Sequence, residues 1–391
     1  MANLFEVLWI FLKLGFTSFG GPIAHLGYFH DEFVLRRKWL DEHAYADLVA
    51  LCQFLPGPAS SQVGMALGFS RAGYFGAIAA WIGFTLPSAA LLVLFAFGIS
   101  SLTGTIHLSY LHGLKIVAVS IVAHAIWGMS TKLCPDKIRA TMAVVAAILA
   151  SLMTSALAQI GIIVAGGAIG IALLKNNDQL PHSPFSTKSS RRAGTFLLAV
   201  FAVILIGLPL LASLYNNVAL KQFDSFYRAG SLVFGGGHVV LPLLKNEVVT
   251  SGWVSNESFM AGYGAAQAIP GPLFSFSAYL GAVSSVQPSG IIGALICLIA
   301  AFLPSFLLVL GVLPFWENLR KFDQMKFAMK GINATVVGLL LAAFYNPVWT
   351  SAIFTAKDFA IAIGAFLLLM FWKAPSWLVV ILTAVAAGLL T

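Results

Sequence analysis

Four short clusters of glycine and proline supply the pattern from which a binding chemistry can be built. They are Phe19-Gly20-Gly21-Pro22, Pro56-Gly57-Pro58, Phe234-Gly235-Gly236-Gly237 and Pro270-Gly271-Pro272. Proline removes a backbone donor and clashes with the preceding turn, and glycine admits conformations closed to other residues. Each cluster is therefore expected to end one helix and begin another. A helix starting at such a break presents unpaired N–H groups and a partial positive charge of about 0.5 e, which suits an anion. Ser60, Ser61 and Gln62 follow the first Pro-Gly-Pro, Ser275 and Ser277 follow the second, and Gln53 and Gln267 precede them at identical spacing. Neutral hydroxyl and amide donors can hold a tetrahedral oxyanion without fully neutralising it, which favours release as well as capture. Ordinary interhelical hydrogen bonding and plain packing kinks compete with this reading. Four breaks at matched positions favour binding.

The candidate substrate residues are Gly20, Gly21, Gln53, Gly57, Ser60, Ser61, Gln62, Gly235, Gly236, Gly237, Gln267, Gly271 and Ser275, together with Lys13 and Arg228. The last two occupy one repeat position, two residues before a matched glycine. A cation inside an apolar segment is a functional hypothesis by default, with snorkelling to the interface as its competitor. Glu32, Glu247, His25 and His238 are candidates for coupling transport to protons, against solvated rim carboxylates and structural histidines. Arg71 reads as a loop anchor.

Three cysteines, Cys52, Cys134 and Cys297, lie far apart with no CxxC spacing, so neither a disulfide framework nor a zinc site is expected. No phosphate-binding loop, HExxH or GxSxG occurs, which speaks against an internal ATPase, a metalloprotease or a serine hydrolase. A transporter without a cofactor, rather than an enzyme, fits this inventory.

The elements that must position these residues are membrane helices. The chain is 59% hydrophobic and 9% charged, with a mean hydropathy of +0.92, whereas soluble domains carry about 25% charged residues. Residues 140–174, 197–214 and 359–371 hold no charge at all. The first residues lack a basic leader and a cleavage site, so the chain is expected to insert whole. A net charge of +8 invites a nucleic-acid reading, but the basic residues sit in short loops between apolar segments, as in a protein with positive loops inside.

One unit is written twice. Lys13 to Pro22 aligns with Arg228 to Gly237, Gln53 to Pro58 with Gln267 to Pro272, Leu86-Pro87-Ser88 with Leu303-Pro304-Ser305, and Gly113 with Gly331, at a nearly constant offset. The expected organisation is a first transporter repeat over 1–174, a polar cytoplasmic linker over 175–194, a connecting membrane helix over 195–214 and a second repeat over 215–391. The fold class is all-α integral membrane, with about thirteen hydrophobic segments.

Basic loops in one half have nearly uncharged counterparts in the other, as an inverted repeat requires. Residues 30–43 and 317–328 are expected on the cytoplasmic side and 100–112 outside. If residues 3–28 spanned fully, Arg36-Arg37-Lys38 would land outside, against the rule. Re-entrant or broken segments at the four breaks remove the conflict; thirteen complete spans are the alternative.

The sequence Phe19-Gly20-Gly21-Pro22, the stretch 29–41 with Arg36-Arg37-Lys38-Trp39, Gln53 to Pro58, and the duplicated Phe234 to His238 and Pro270-Gly271-Pro272 resemble the chromate ion transporter family, in its long two-domain form. The resemblance runs over about residues 5–390. It implies a multi-pass protein of a bacterial or archaeal plasma membrane that exports chromate by secondary active transport and gives chromate resistance. Sulfate, a tetrahedral dianion of similar size, is the look-alike substrate. Sulfate uptake and a passive anion channel are the alternative readings. The bilayer, a proton or another coupling ion, and a second copy in a homodimer complete the expected partners.

Overall fold

A computed structural model describes residues 4–19, 21–101, 108–153, 156–174, 190–215, 217–234, 240–319 and 322–390. Gly20, Gly235, Gly236, Gly237, His238 and most of the 175–194 linker lie outside the described residues, as do 102–107 and 320–321 of the loops assigned to a membrane side.

The described residues form helices and no strands. The first half runs α1 (Leu4–Thr17), α2 (Gly21–His30), α3 (Glu42–Phe54), α4 (Ala59–Ser101), α5 (Leu108–Leu133), α6 (Lys137–Leu152) and α7 (Ala156–Leu173). Helix α8 (Arg191–Leu214) connects to α9 (Val218–Leu232), α10 (Val240–Val248), α11 (Asn256–Ala268), α12 (Phe276–Ala282) and α13 (Gly290–Val312). The short α14 (Trp316–Leu319), then α15 (Asp323–Ala343), α16 (Ala356–Met370) and α17 (Ser376–Leu390), complete the chain. Five of these segments are long and apolar enough to cross a membrane, 59–98, 112–133, 191–214, 290–315 and 323–346.

Local chemistry sets the starts of several helices at matched places. The Asp41 carboxylate accepts from Ala44 N–H at 2.8 Å to cap α3, and the Ser255 hydroxyl accepts from Ser258 N–H at 3.1 Å to cap the equivalent α11. Asp136 caps α6, and Thr355 with Asp358 forms a capping box on α16. Each capped N–H is one of the orphan donors that every helix start leaves open.

The halves are interleaved rather than side by side. Helix α5 of the first half packs on α16 and α17 of the second, and α15 of the second packs on α6 and α7 of the first. The crossing points are the matched glycines. A β-carbon on Gly113 would stand 2.7 Å from Ala384 Cα, and one on Gly331 would stand 2.8 Å from Gly170 Cα. Such close backbone approach is how helices associate where burial from water supplies little drive. Ser120 Oγ reinforces the first crossing by donating to the Ala362 carbonyl at 2.7 Å, and His112 Nε2 lies 2.9 Å from Asp358 Oδ1. This interleaving fixes the two sets of helix breaks relative to each other.

Candidate functional site

The first Pro-Gly-Pro turns the chain back on itself. Helix α3 ends at Phe54, Leu55 is extended, Gly57 takes φ +118°, and α4 opens at Ala59. That φ belongs to the region where a side chain is strained, so glycine is required there. Helix α4 is itself interrupted at Ala72 and Gly73, and the Arg71 guanidinium sits 4.6 Å above the Trp39 ring. The residues before α3 therefore meet the residues that close the first part of α4.

The second Pro-Gly-Pro repeats this. Helix α11 ends at Ala268, Gly271 takes φ +101°, and a 3-10 turn, Leu273–Ser275, leads into α12. Here Ser285 N–H donates to the Trp253 carbonyl at 2.8 Å, and Tyr279 OH donates to the Ser258 carbonyl at 2.9 Å. Trp253 holds the place of Trp39 in the repeat. The segment before these hairpins behaves likewise in the first half. Phe11 of α1 packs against Phe29 of α2 and stacks on Phe33, and Arg37 reaches Glu6, at the start of α1, at 3.1 Å.

The breaks of the two halves cross. Gly57 N–H donates to the Val233 carbonyl at 2.7 Å, and Gly271 N–H donates to the Ser18 carbonyl at 2.9 Å. Val233 and Ser18 are equivalent residues, each just past the helix preceding its Phe-Gly-Gly cluster. Each Pro-Gly-Pro also faces the serine behind the internal proline of the other half. A β-carbon on Gly57 would overlap Ser305 Oγ, and one on Gly271 would stand 2.9 Å from Ser88 Oγ. Pro87 and Pro304 lie inside α4 and α13.

Around this crossing lies an unusual density of buried polar atoms. Gln62 Nε2 donates to the Pro56 carbonyl at 2.7 Å and so satisfies a group freed by the break. Ser88 Oγ lies 2.6 Å from Ser275 Oγ. His25 is fully buried, edge-on to Phe84, with Nδ1 3.3 Å from Ser60 Oγ. By contrast, the hydroxyls of Ser18, Ser61, Thr85, Ser277 and Ser305, Gln62 Oε1 and Gln267 Nε2 are buried without a hydrogen-bond partner in the protein. Most buried polar groups are paired, and an unpaired one costs about 1–3 kcal/mol. Several together near one set of breaks make the crossing the candidate site.

Of the residues singled out in the sequence, Gly57, Ser60, Ser61, Gln62, Gln267, Gly271 and Ser275 belong to this crossing, with Gly21 three residues beyond Ser18. Gln53 and Lys13 are exposed. Arg228 is held between Asp224 at 3.0 Å and Glu247 at 3.1 Å. Glu32 pairs with Arg37 at 2.6 Å and Arg36 at 2.9 Å; burial raises its carboxyl, but the two guanidinium groups prevail and hold it below the usual range. Ser18, Thr85, Ser88, Ser305 and Asp224 escaped the sequence reading. Leu86-Pro87-Ser88 and Leu303-Pro304-Ser305 were visible only as repeat markers, although a serine following a helix-internal proline, present twice, is itself a signal.

The chromate transporter family profile matches residues 5–171 and again 220–389. A probable chromate transport protein of Synechococcus elongatus is 25% identical over 390 residues, covering 98% of this chain and 95% of its own. A chromate transport protein of Pseudomonas aeruginosa is 27% identical over 349 residues, 84% of this chain and 77% of its own. An uncharacterized transporter of Methanocaldococcus jannaschii is 30% identical over 388 residues, 97% of this chain and 92% of its own. No solved structure matches the chain. With the profile matched once in each half and two relatives aligned over nearly the whole chain, this chain belongs to the chromate transporter family.

Proposed function

We propose that the chain is a secondary active carrier that moves chromate, and sulfate as its near isostere, out across the plasma membrane. The observation that carries this reading is the crossing of the two Pro-Gly-Pro turns, where helix starts, buried hydroxyls without partners and the Gln267 amide converge. A dianion placed there receives neutral hydrogen bonds, each to a charged acceptor and so contributing about 1.5–3 kcal/mol. Several such bonds hold the ion, while the absence of full neutralisation keeps dissociation fast. Selectivity for a tetrahedral oxyanion follows from donors approaching it from both halves.

The four break segments are proposed to be re-entrant, two from each side of the membrane, within about thirteen segments in all. The Arg71–Trp39 and Ser285–Trp253 contacts support hairpins whose ends share one side. Reciprocal contacts between equivalent residues support a twofold relation between the halves, and complementary loop charges put its axis in the membrane plane. The Asp224–Arg228–Glu247 cluster is the proposed seat of the coupling proton, its two carboxylates offsetting the Arg228 charge, and Lys13 biases the local potential toward anions.

Replacing Gly57 or Gly271 by Val forces a side chain onto Ser305 or Ser88. Each variant is expected to weaken anion binding at least about tenfold, read as a lost chromate- or sulfate-dependent rise in melting temperature of protein that still purifies intact. Variants that retain the wild-type shift at wild-type anion concentrations remove these turns from the site.

Ser88 and Ser305 separate binding from packing. Ser305→Ala deletes a hydroxyl without a partner, so the anion-free melting point is expected to hold while the anion-dependent shift falls. Ser88→Ala strands Ser275 and is expected to cost about 1–3 kcal/mol of stability without anion. An unchanged shift in Ser305→Ala contradicts a direct contact with the anion.

Single cysteines labelled with an impermeant reagent test the topology. Lys38→Cys and Tyr74→Cys are expected to react from the cytoplasm, and Ser251→Cys from outside. Opposite sides for positions 38 and 74 would establish a full span, and one side for 38 and 251 would end the inverted reading.

A further inference from the structure

Away from the crossing lies a second polar cavity of about 290 Å³, walled by α6 and α7 of the first half and by α10, α15 and the 344–349 turn of the second. Water occupies about 30 Å³ in the liquid, so this space admits an ion with part of its hydration shell. Its floor carries Lys245, Asn246, Gln159 and Asn346. Lys245 Nζ donates one hydrogen bond, to Asn346 Oδ1 at 3.3 Å, and among the described residues no carboxylate lines the cavity. An ammonium group has three donors and no acceptor, so donor capacity remains for a guest. Asn246 Nδ2 is buried with no acceptor, and Gln159, 6% exposed, has its Oε1 buried without a partner. A half-turn of that amide would present its N–H₂ instead. The set is therefore rich in donors, carries one full positive charge, and holds a built and unsatisfied amide. Its complement is an anion with several acceptor oxygens.

The position gives the cavity a role. Lys245 and Asn246 stand on α10, which opens at Val240, three residues beyond the second Phe-Gly-Gly cluster in sequence, so Lys245 is about 7–8 Å along the helix from its start. We propose that the cavity is a second oxyanion site, a vestibule between the halves that captures a tetrahedral dianion on its way to or from the central crossing. The binding chemistry stands on these residues alone; the vestibule role rests on the oxyanion transport proposed above. Here a full charge attracts the ion, whereas at the centre neutral donors hold it.

Tyr345 borders the cavity and is 65% exposed, so Tyr345→Cys, combined with Cys134→Ser, is the reporter; Cys52 and Cys297 are buried. In full-length protein in neutral detergent, sulfate is expected to slow modification of this variant by an anionic thiol reagent. Adding Lys245→Gln is expected to raise the sulfate concentration needed by about tenfold, the loss of one charge-assisted hydrogen bond, and Lys245→Arg is expected to restore protection. Adding Gly57→Val tests independence: protection should persist although the sulfate-dependent melting shift falls to the part that the cavity contributes. Absence of protection, equal protection in Lys245→Gln, or its disappearance with Gly57→Val overturns the vestibule. A lipid phosphate is the other source of the same chemistry. If anionic-lipid nanodiscs slow modification through Lys245 while sulfate does nothing, the cavity is a lipid site and the vestibule is likewise overturned.

Discussion

In hydrocarbon an unpaired peptide group costs several kcal/mol, so a chain broken inside a membrane protein must find partners for the groups it frees. Two reciprocal hydrogen bonds meet that constraint here, Gly57 N–H to the Val233 carbonyl and Gly271 N–H to the Ser18 carbonyl. Each half satisfies the break of the other. Neither Pro-Gly-Pro turn is complete without the unwound end of the opposite repeat, and the rest of the architecture serves to hold that exchange in register. The capped starts of α3 and α11 set where the hairpins begin. The crossings at Gly113 and Gly331 bind each half's later helices to the partner half.

The same constraint explains why unpaired polar groups gather there. Prolines flank the turns at Gly57 and Gly271, and they remove donors from the turns while leaving carbonyls to satisfy. Gln62 answers one of these carbonyls through its Nε2, which leaves its Oε1 without a partner. Serines gather at the crossing because a short hydroxyl fits where backbones approach closely. The two equivalent serine pairs then differ: Ser88 and Ser275 lie 2.6 Å apart, whereas Ser61 and Ser305 each lack a partner. The site is built from a repeat but is not symmetric. In the carrier proposed above, such inequality would let the substrate be held differently in two states.

Much of this was legible in the sequence because the repeat and the breaks are written in residue types with few alternative meanings. Two prolines around a glycine can do little else in an apolar segment, and Gly57 and Gly271 indeed take left-handed φ. The polar neighbours Ser61, Gln62 and Gln267 were legible by adjacency. What sequence could not supply was the exchange between halves. Nothing local in Leu86-Pro87-Ser88 says that Ser88 faces Gly271, because that contact depends on how α4 and the second hairpin pack. Arg228 is the converse case. Read alone it is a bare cation in an apolar segment, but Asp224, one helical turn away, and Glu247 enclose it. Spacing hinted at the first partner; only packing shows the second.

The most direct test of the central claim is anomalous diffraction at the chromium edge from crystals of the protein equilibrated with chromate. The expected result is a peak at the crossing of the breaks, within hydrogen-bond reach of Ser61 or Ser305 Oγ. A chromium peak confined to the exposed face of Lys13, or lying between other helices with the crossing empty, would contradict it.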